Sequence, residues 1–192
     1  MISSKFKWIL GLSLVFVLIV TTNLIDRNNF KRIRESIVTI YEDRLIAKNY
    51  IFELSLLLEE KTIELAASKD STFFGSKSNV VNDQVESFIR KFHQTRLTTQ
   101  EEATLKNFEN DFKALVLLEK SGDRIRVLNQ IKRLKKDLYT LSEIQLKEGK
   151  KQLIIGSKAV NSVELLTRLE IIMLVIIAVI VLFLLIYNPK NK

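Results

Sequence analysis

Few residues in this chain could do covalent chemistry. Among its 192 residues are one histidine, one proline, five glycines and no cysteine. His93 has no thiol to activate, no Cys/His cluster exists to hold zinc, and no glycine run builds a phosphate-binding loop. The expectation is a non-enzyme with no cofactor and no metal site. What does stand out is a set of polar residues in places where helices need apolar ones.

Positions 30, 33, 37, 40, 44, 47, 51, 54, 58, 61 and 65 carry Phe, Ile, Ile, Ile, Arg, Ala, Ile, Leu, Leu, Lys and Leu. Alternating steps of three and four make a heptad seam on one long helix, interrupted at Arg44 and Lys61. A second seam starts at Val127 and continues through Ile131, Leu134, Leu138 and Leu141, then turns polar at Gln145, Glu148 and Gln152. If the two helices are antiparallel with residue 26 opposite residue 170, Arg44 faces Gln152, Glu148 lies one turn away, and Tyr41 is adjacent. Tyr41, Arg44, Glu148 and Gln152 are therefore the candidates for a ligand-binding polar layer. The same groups could instead satisfy one another and fix helix register. In that alignment Lys61 meets only Lys135, so its ammonium should reach outward to water. The basic run Lys132, Arg133, Lys135 and Lys136 reads as a solvated face, His93 as exposed or capping, and Phe73-Phe74 as a pair at a loop.

The elements that would position this layer follow from punctuation. No charged residue occurs from Trp8 to Ile25, or from Ile171 to Tyr187. Both runs reach the lower limit of about 17–25 residues for a membrane-spanning helix. Lysines flank each run on the chain-terminal side, Lys5 and Lys7 before the first, Lys190 and Lys192 after the second. The positive-inside rule then puts both ends in the cytoplasm. Between the runs, 26 Lys and Arg interleave with 22 acids, a mixture unlike a nucleic-acid-binding stripe.

Residues 1–7 and 188–192 are thus expected to be cytoplasmic, 8–25 and 171–187 transmembrane, and 26–170 extracytoplasmic. The first helix should continue to about Ser68 and end in a loop at Lys69–Ser78. A second helix should cover 79–97, and a third 100–120 behind a Thr98 or Thr99 capping box with Glu101 or Glu102. Gly122 suits a left-handed cap, and Asp123 should cap a fourth helix that runs into the second span. The fold class is all-α, an antiparallel up-down-up-down four-helix bundle with two transmembrane helices. The two middle helices are about half as long as the first at ~1.5 Å per residue. Phe30, Ile33 and Ile37 would then be partly uncovered, which predicts a homodimer packed along the first helix.

The stretches Ile40-Tyr41-Glu42-Asp43-Arg44-Leu45 and Tyr50-Ile51-Phe52-Glu53-Leu54-Ser55, set in this topology, carry a family resemblance. The chain resembles the four-helix-bundle sensory module of bacterial methyl-accepting chemotaxis receptors over Met1 to about Tyr187, most strongly over 5–65. The resemblance implies a homodimeric inner-membrane sensor in which a small-molecule ligand displaces the last helix and second span. Such receptors continue into a linker domain and a long cytoplasmic coiled coil, whereas five residues follow Tyr187 here. Output is therefore expected to pass to another membrane signalling protein. The alternative is a membrane-tethered helical scaffold that binds a partner protein and no small ligand.

Overall fold

A computed structural model describes residues 4–67 and 76–186, and among them there are helices and turns but no strands. Helix α1 covers Ser4–Val38 and passes through a π-helical stretch, Thr39–Leu45, into α2, Ile46–Ala67. Helix α3 covers Ser76–His93, α4 Thr99–Glu119 and α5 Arg124–Ile186. Most of the expected loop with its Phe73-Phe74 pair, the tail from Tyr187 to Lys192, and the side chains of Lys5, Lys7 and Trp8 lie outside the described residues.

Helix ends are set by local chemistry. The Thr98 hydroxyl accepts from the Glu101 N–H at 3.3 Å while the Glu101 carboxylate accepts from the Thr98 N–H at 2.5 Å, the reciprocal capping box. Gly122 has φ 71°, the left-handed conformation in which a Cβ would be strained. Asp123 Oδ1 then accepts from the Arg126 N–H at 3.1 Å and starts α5. The expectation of a second helix over 79–97 needs correction at both ends. At its start the helix begins earlier, at Ser76, and the hydroxyl of Ser78 bonds to Glu119 of α4. At the other end, the Thr95 hydroxyl and N–H both donate to the Phe92 carbonyl, closing the helix at His93.

The chain divides into two compact units, Val38–Gln152 and the paired ends Met1–Ile37 with Leu153–Lys192. In the first unit α2, α3, α4 and α5 share one core. Leu54 and Leu58, Val85 and Phe92, Leu105 and Phe108, and Leu134 and Leu141 are fully buried in it. Their three- and four-residue spacings give each helix one apolar stripe, and each large side chain contributes about 1.5–3 kcal/mol by leaving water. Tyr50 packs its ring 6.0 Å from Phe88 and 6.4 Å from Phe92, tying α2 to α3. Along the π-helical stretch with α2, and along α5, the partners run in opposite order. Arg124 donates to the Leu65 carbonyl, Lys135 pairs with Glu59 at 2.5 Å, and Arg44 donates to Gln145.

In the unit formed by the two ends, α1 buries two polar residues outside the expected seam, while the apolar positions expected to be partly uncovered are so. Asn29 and Ser36 are 7% and 3% exposed, whereas Phe30 and Ile37 are 60% and 61% exposed. Ser36 packs on α5, its Cβ 3.4 Å from where a Cβ on Gly156 would sit. Ile33 of the expected seam is half-buried in the same unit. In the other unit Ile40 is half-buried, and the seam positions Arg44, Ala47, Ile51, Leu54, Leu58, Lys61 and Leu65 are all buried.

Within Gly11–Ala67, one continuous helical stretch, lies a window long and apolar enough to cross a membrane, with none of it buried. On α5, Ile171, Ile172, Leu174, Val175 and Ile176 are likewise exposed.

Gly149 lies mid-helix in α5, and a Cβ built there meets nothing within 4 Å. Gly149→Ala is predicted to stabilise the protein by about 1 kcal/mol through helix propensity alone. Chemical unfolding of the full chain in detergent, followed by circular dichroism, measures it.

Candidate functional site

The π-helical stretch points two adjacent side chains at the α3–α4 connection. Asp43 Oδ1 accepts from the Arg96 N–H at 3.2 Å, and Arg44 Nη2 donates to the Arg96 carbonyl at 3.0 Å. Residue 96 is thus held by both of its backbone groups. Arg44 Nη1 also donates to Glu101 Oε1 at 2.5 Å and to Gln145 Oε1 at 3.2 Å. One guanidinium therefore joins the first helix to the turn before α4, to the cap of α4 and to α5.

Burial gives this cluster its weight. Arg44 is 8% exposed and Glu101 0%. A buried ion pair is held only when geometry and extra hydrogen bonds repay the loss of water, and removing one partner strands the other. Glu101 serves twice, since Oε1 pairs with Arg44 while Oε2 caps α4. Two donors of the cluster, Arg44 Nε and Gln145 Nε2, are buried with no acceptor among the described residues. The cluster thus presents donors and a net capacity to accept a hydrogen-bonding oxygen.

A second buried cluster lies further along the same helix. Lys61 is 0% exposed; its ammonium donates to Glu119 Oε1 at 2.6 Å and to Ser78 Oγ at 2.8 Å. Glu119 Oε2 accepts from Ser78 and from Asn82 Nδ2, each at 3.2 Å. The expectation that Lys61 reaches outward is overturned. It faces α3 and α4, and the lysine expected opposite it, Lys135, pairs instead with Glu59.

Of the four expected layer residues, only Arg44 belongs to the cluster. Tyr41 is 61% exposed and lines a shallow outward groove with Leu45, Lys48, Asn49 and Phe52. Glu148 pairs with Lys151 of its own helix at 3.4 Å, and Gln152 is half-buried with no bond to Arg44. The reason is register. Aligning residue 26 with residue 170 placed Gln152 against Arg44, whereas the contact from Arg124 to Leu65 fixes the alignment from the other end and brings Gln145, two turns earlier. Glu101 was visible only as a cap, and Gln145 only as a polar interruption of the α5 seam. Starting the alignment at the Gly122 turn would have paired Gln145 with Arg44.

Two lesser groups complete the picture. His93 Nε2 lies 3.0 Å from Glu109 Oε1 and links α3 to α4 at the surface. Asp137 on α5 has its carboxyl pushed above the usual range, first by burial and then by repulsion from Asp111, with Lys136 partly offsetting both. Among the described residues no three Asp, Glu or His side chains converge on a point that could hold a metal ion. No protein family, curated protein or solved structure matches the chain.

Arg44→Leu is predicted to cost about 3–5 kcal/mol, because Glu101 is left charged and buried. Pairing it with E101Q, which keeps the cap but removes the charge, should recover most of that loss; urea unfolding of the full chain measures both. Asp137 gives a pH signature. Its folded value is raised, so the ionised group lowers stability at neutral pH, and the penalty is relieved as pH falls through that value toward the ordinary Asp range. Asp137→Asn is predicted to raise the unfolding midpoint at pH 7, with a smaller advantage over wild type as pH falls toward 4.

Proposed function

We propose that this chain is a membrane-anchored sensory protein of the chemoreceptor type. In this reading 26–170 is an antiparallel up-down-up-down four-helix bundle outside the cytoplasm of a bacterial cell. Two transmembrane helices, 8–25 and 171–187, carry it in the inner membrane with both ends cytoplasmic. It works as a homodimer, catalyses nothing, and transmits the state of its bundle to another membrane signalling protein.

The observation that carries this reading is the Arg44 cluster. A buried arginine that ties three separate parts of the bundle together, at a π-helical stretch and with two free donors beside it, suits a switch better than a strut. The donors favour a ligand bearing a carboxylate or other oxygen acceptor. The apolar exposed stretches of α1 and α5 support the membrane spans, since no protein surface covers them. Tyr41, Leu45, Phe52, Leu56 and Ile63 line one outward stripe of the first helix, each exposed, and support a second copy packing there.

That stripe also favours the scaffold reading, in which it holds a different protein and no ligand is bound. Thermal-shift screening of the full chain in detergent against amino acids, organic acids and amines separates the two. A sensor should be stabilised by about 2.7 kcal/mol by a carboxylate compound at a hundred times its Kd, and R44L/E101Q should abolish the shift. A flat screen, together with a partner that copurifies in fixed ratio, would favour the scaffold.

A further inference from the structure

Beside its buried seam, the first helix of the Val38–Gln152 unit carries a second seam that the fold leaves open. Arg44, Ala47, Ile51, Leu54, Leu58, Lys61 and Leu65 are buried. On the adjacent strip Leu45, Asn49, Phe52, Leu56, Glu59, Ile63 and Ala66 alternate steps of four and three, and every one of them is exposed. In heptad terms Leu45, Phe52, Glu59 and Ala66 take the d positions, and Asn49, Leu56 and Ile63 the a positions. Glu59 is already matched by Lys135 of α5. Lys48, at g, and Glu53, at e, flank the strip on opposite sides, and neither has an ion pair among the described residues. A strip of large apolar side chains in heptad order, bordered by one cation and one anion, is the surface of a helix pair that lacks its second helix.

We propose that this strip takes a second copy of the chain, with the two α2 helices parallel and in register. The inference rests on the homodimer proposed above and adds which face it uses and in which direction. Charge complementarity decides the direction. A two-fold axis parallel to the helices brings the Lys48 side of one copy against the Glu53 side of the other and forms two Lys48–Glu53 pairs. An antiparallel pair would set Lys48 side on Lys48 side and Glu53 side on Glu53 side. Asn49 decides the register. A single asparagine at an a position meets its own counterpart in a parallel, in-register pair, where each amide can donate to the other, and any slip sets it against an apolar side chain. On the Lys48 side the face continues onto α5, where Tyr139 is exposed and borders the same groove as Phe52 and Ser55. The bundle already holds α2 as a helix, so pairing has no helix to nucleate.

The chain has no cysteine, so single cysteines introduced into it report self-contact. In membranes holding the full chain, L45C, F52C and I63C should each give a disulfide-linked dimer, because a parallel, in-register pair brings every seam residue against its own counterpart. L117C, exposed on α4, should not. An antiparallel pair meets itself at one level only, so a crosslink confined to one of the three positions would overturn the proposal. Equal crosslinking at L117C would reduce the result to random collision and count against it too. In detergent, K48E should weaken the dimer about tenfold by analytical ultracentrifugation, and K48E/E53K should restore it; a dimer indifferent to K48E contradicts the proposed pairing. A dimer by ultracentrifugation with no crosslink at the three positions would overturn this face and direction and leave the homodimer standing. A monomer with no crosslinks would remove both.

Discussion

The ion pair between Arg44 and Glu101 is the constraint on which the Val38–Gln152 unit depends. An arginine in a helix seam should be costly, because its charge leaves water as the core closes. It is tolerated here because the helix presents it where a carboxylate is already held. Glu101 is fixed by the backbone of its own helix start, independently of the charge that the π-helical stretch brings to it. The arginine therefore meets a preorganised acceptor, and its remaining donors reach a side-chain amide and a backbone carbonyl. Local capping and long-range packing converge on one carboxylate, which couples the order of the α3–α4 connection to the position of the first helix.

The π-helical stretch lies where that coupling is made. Within it Asp43 and Arg44 are adjacent, and both reach residue 96, one taking its N–H and the other its carbonyl. The same arginine goes on to Glu101 and Gln145. Departures from α-helical geometry of this kind occur most often where side chains have a specific task.

The all-helical character, the Thr98 cap, the Gly122 turn and the start of α5 at Asp123 could be read from residue types, because each depends on chemistry within a few residues. The α5 stripe from Val127 to Leu141 could be read for the same reason, being a pure periodicity. The α5 partner of Arg44 could not, because it depends on the offset between two helices whose bonded residues lie 101 positions apart. An error of two turns in that offset exchanged Gln145 for Gln152, and comparing the first helix with α5 alone could not find Glu119, the partner of Lys61 on α4. The burial of Asn29 and Ser36 was hidden more deeply, because neither residue type marks the inner face of a helix.

The two buried ion pairs lie nearly five turns apart on the first helix, about 25 Å at 1.5 Å per residue. Arg44 uses the beginning of α4, through Glu101, and Lys61 uses its end, through Glu119. Apolar stripes alone would permit this bundle to assemble one heptad out of step, since leucine packs on leucine at many offsets. Such an arrangement would bury two cations and two carboxylates away from one another. The pairs act as two teeth of a key cut at a fixed spacing, and they admit α4 against the first helix at a single depth.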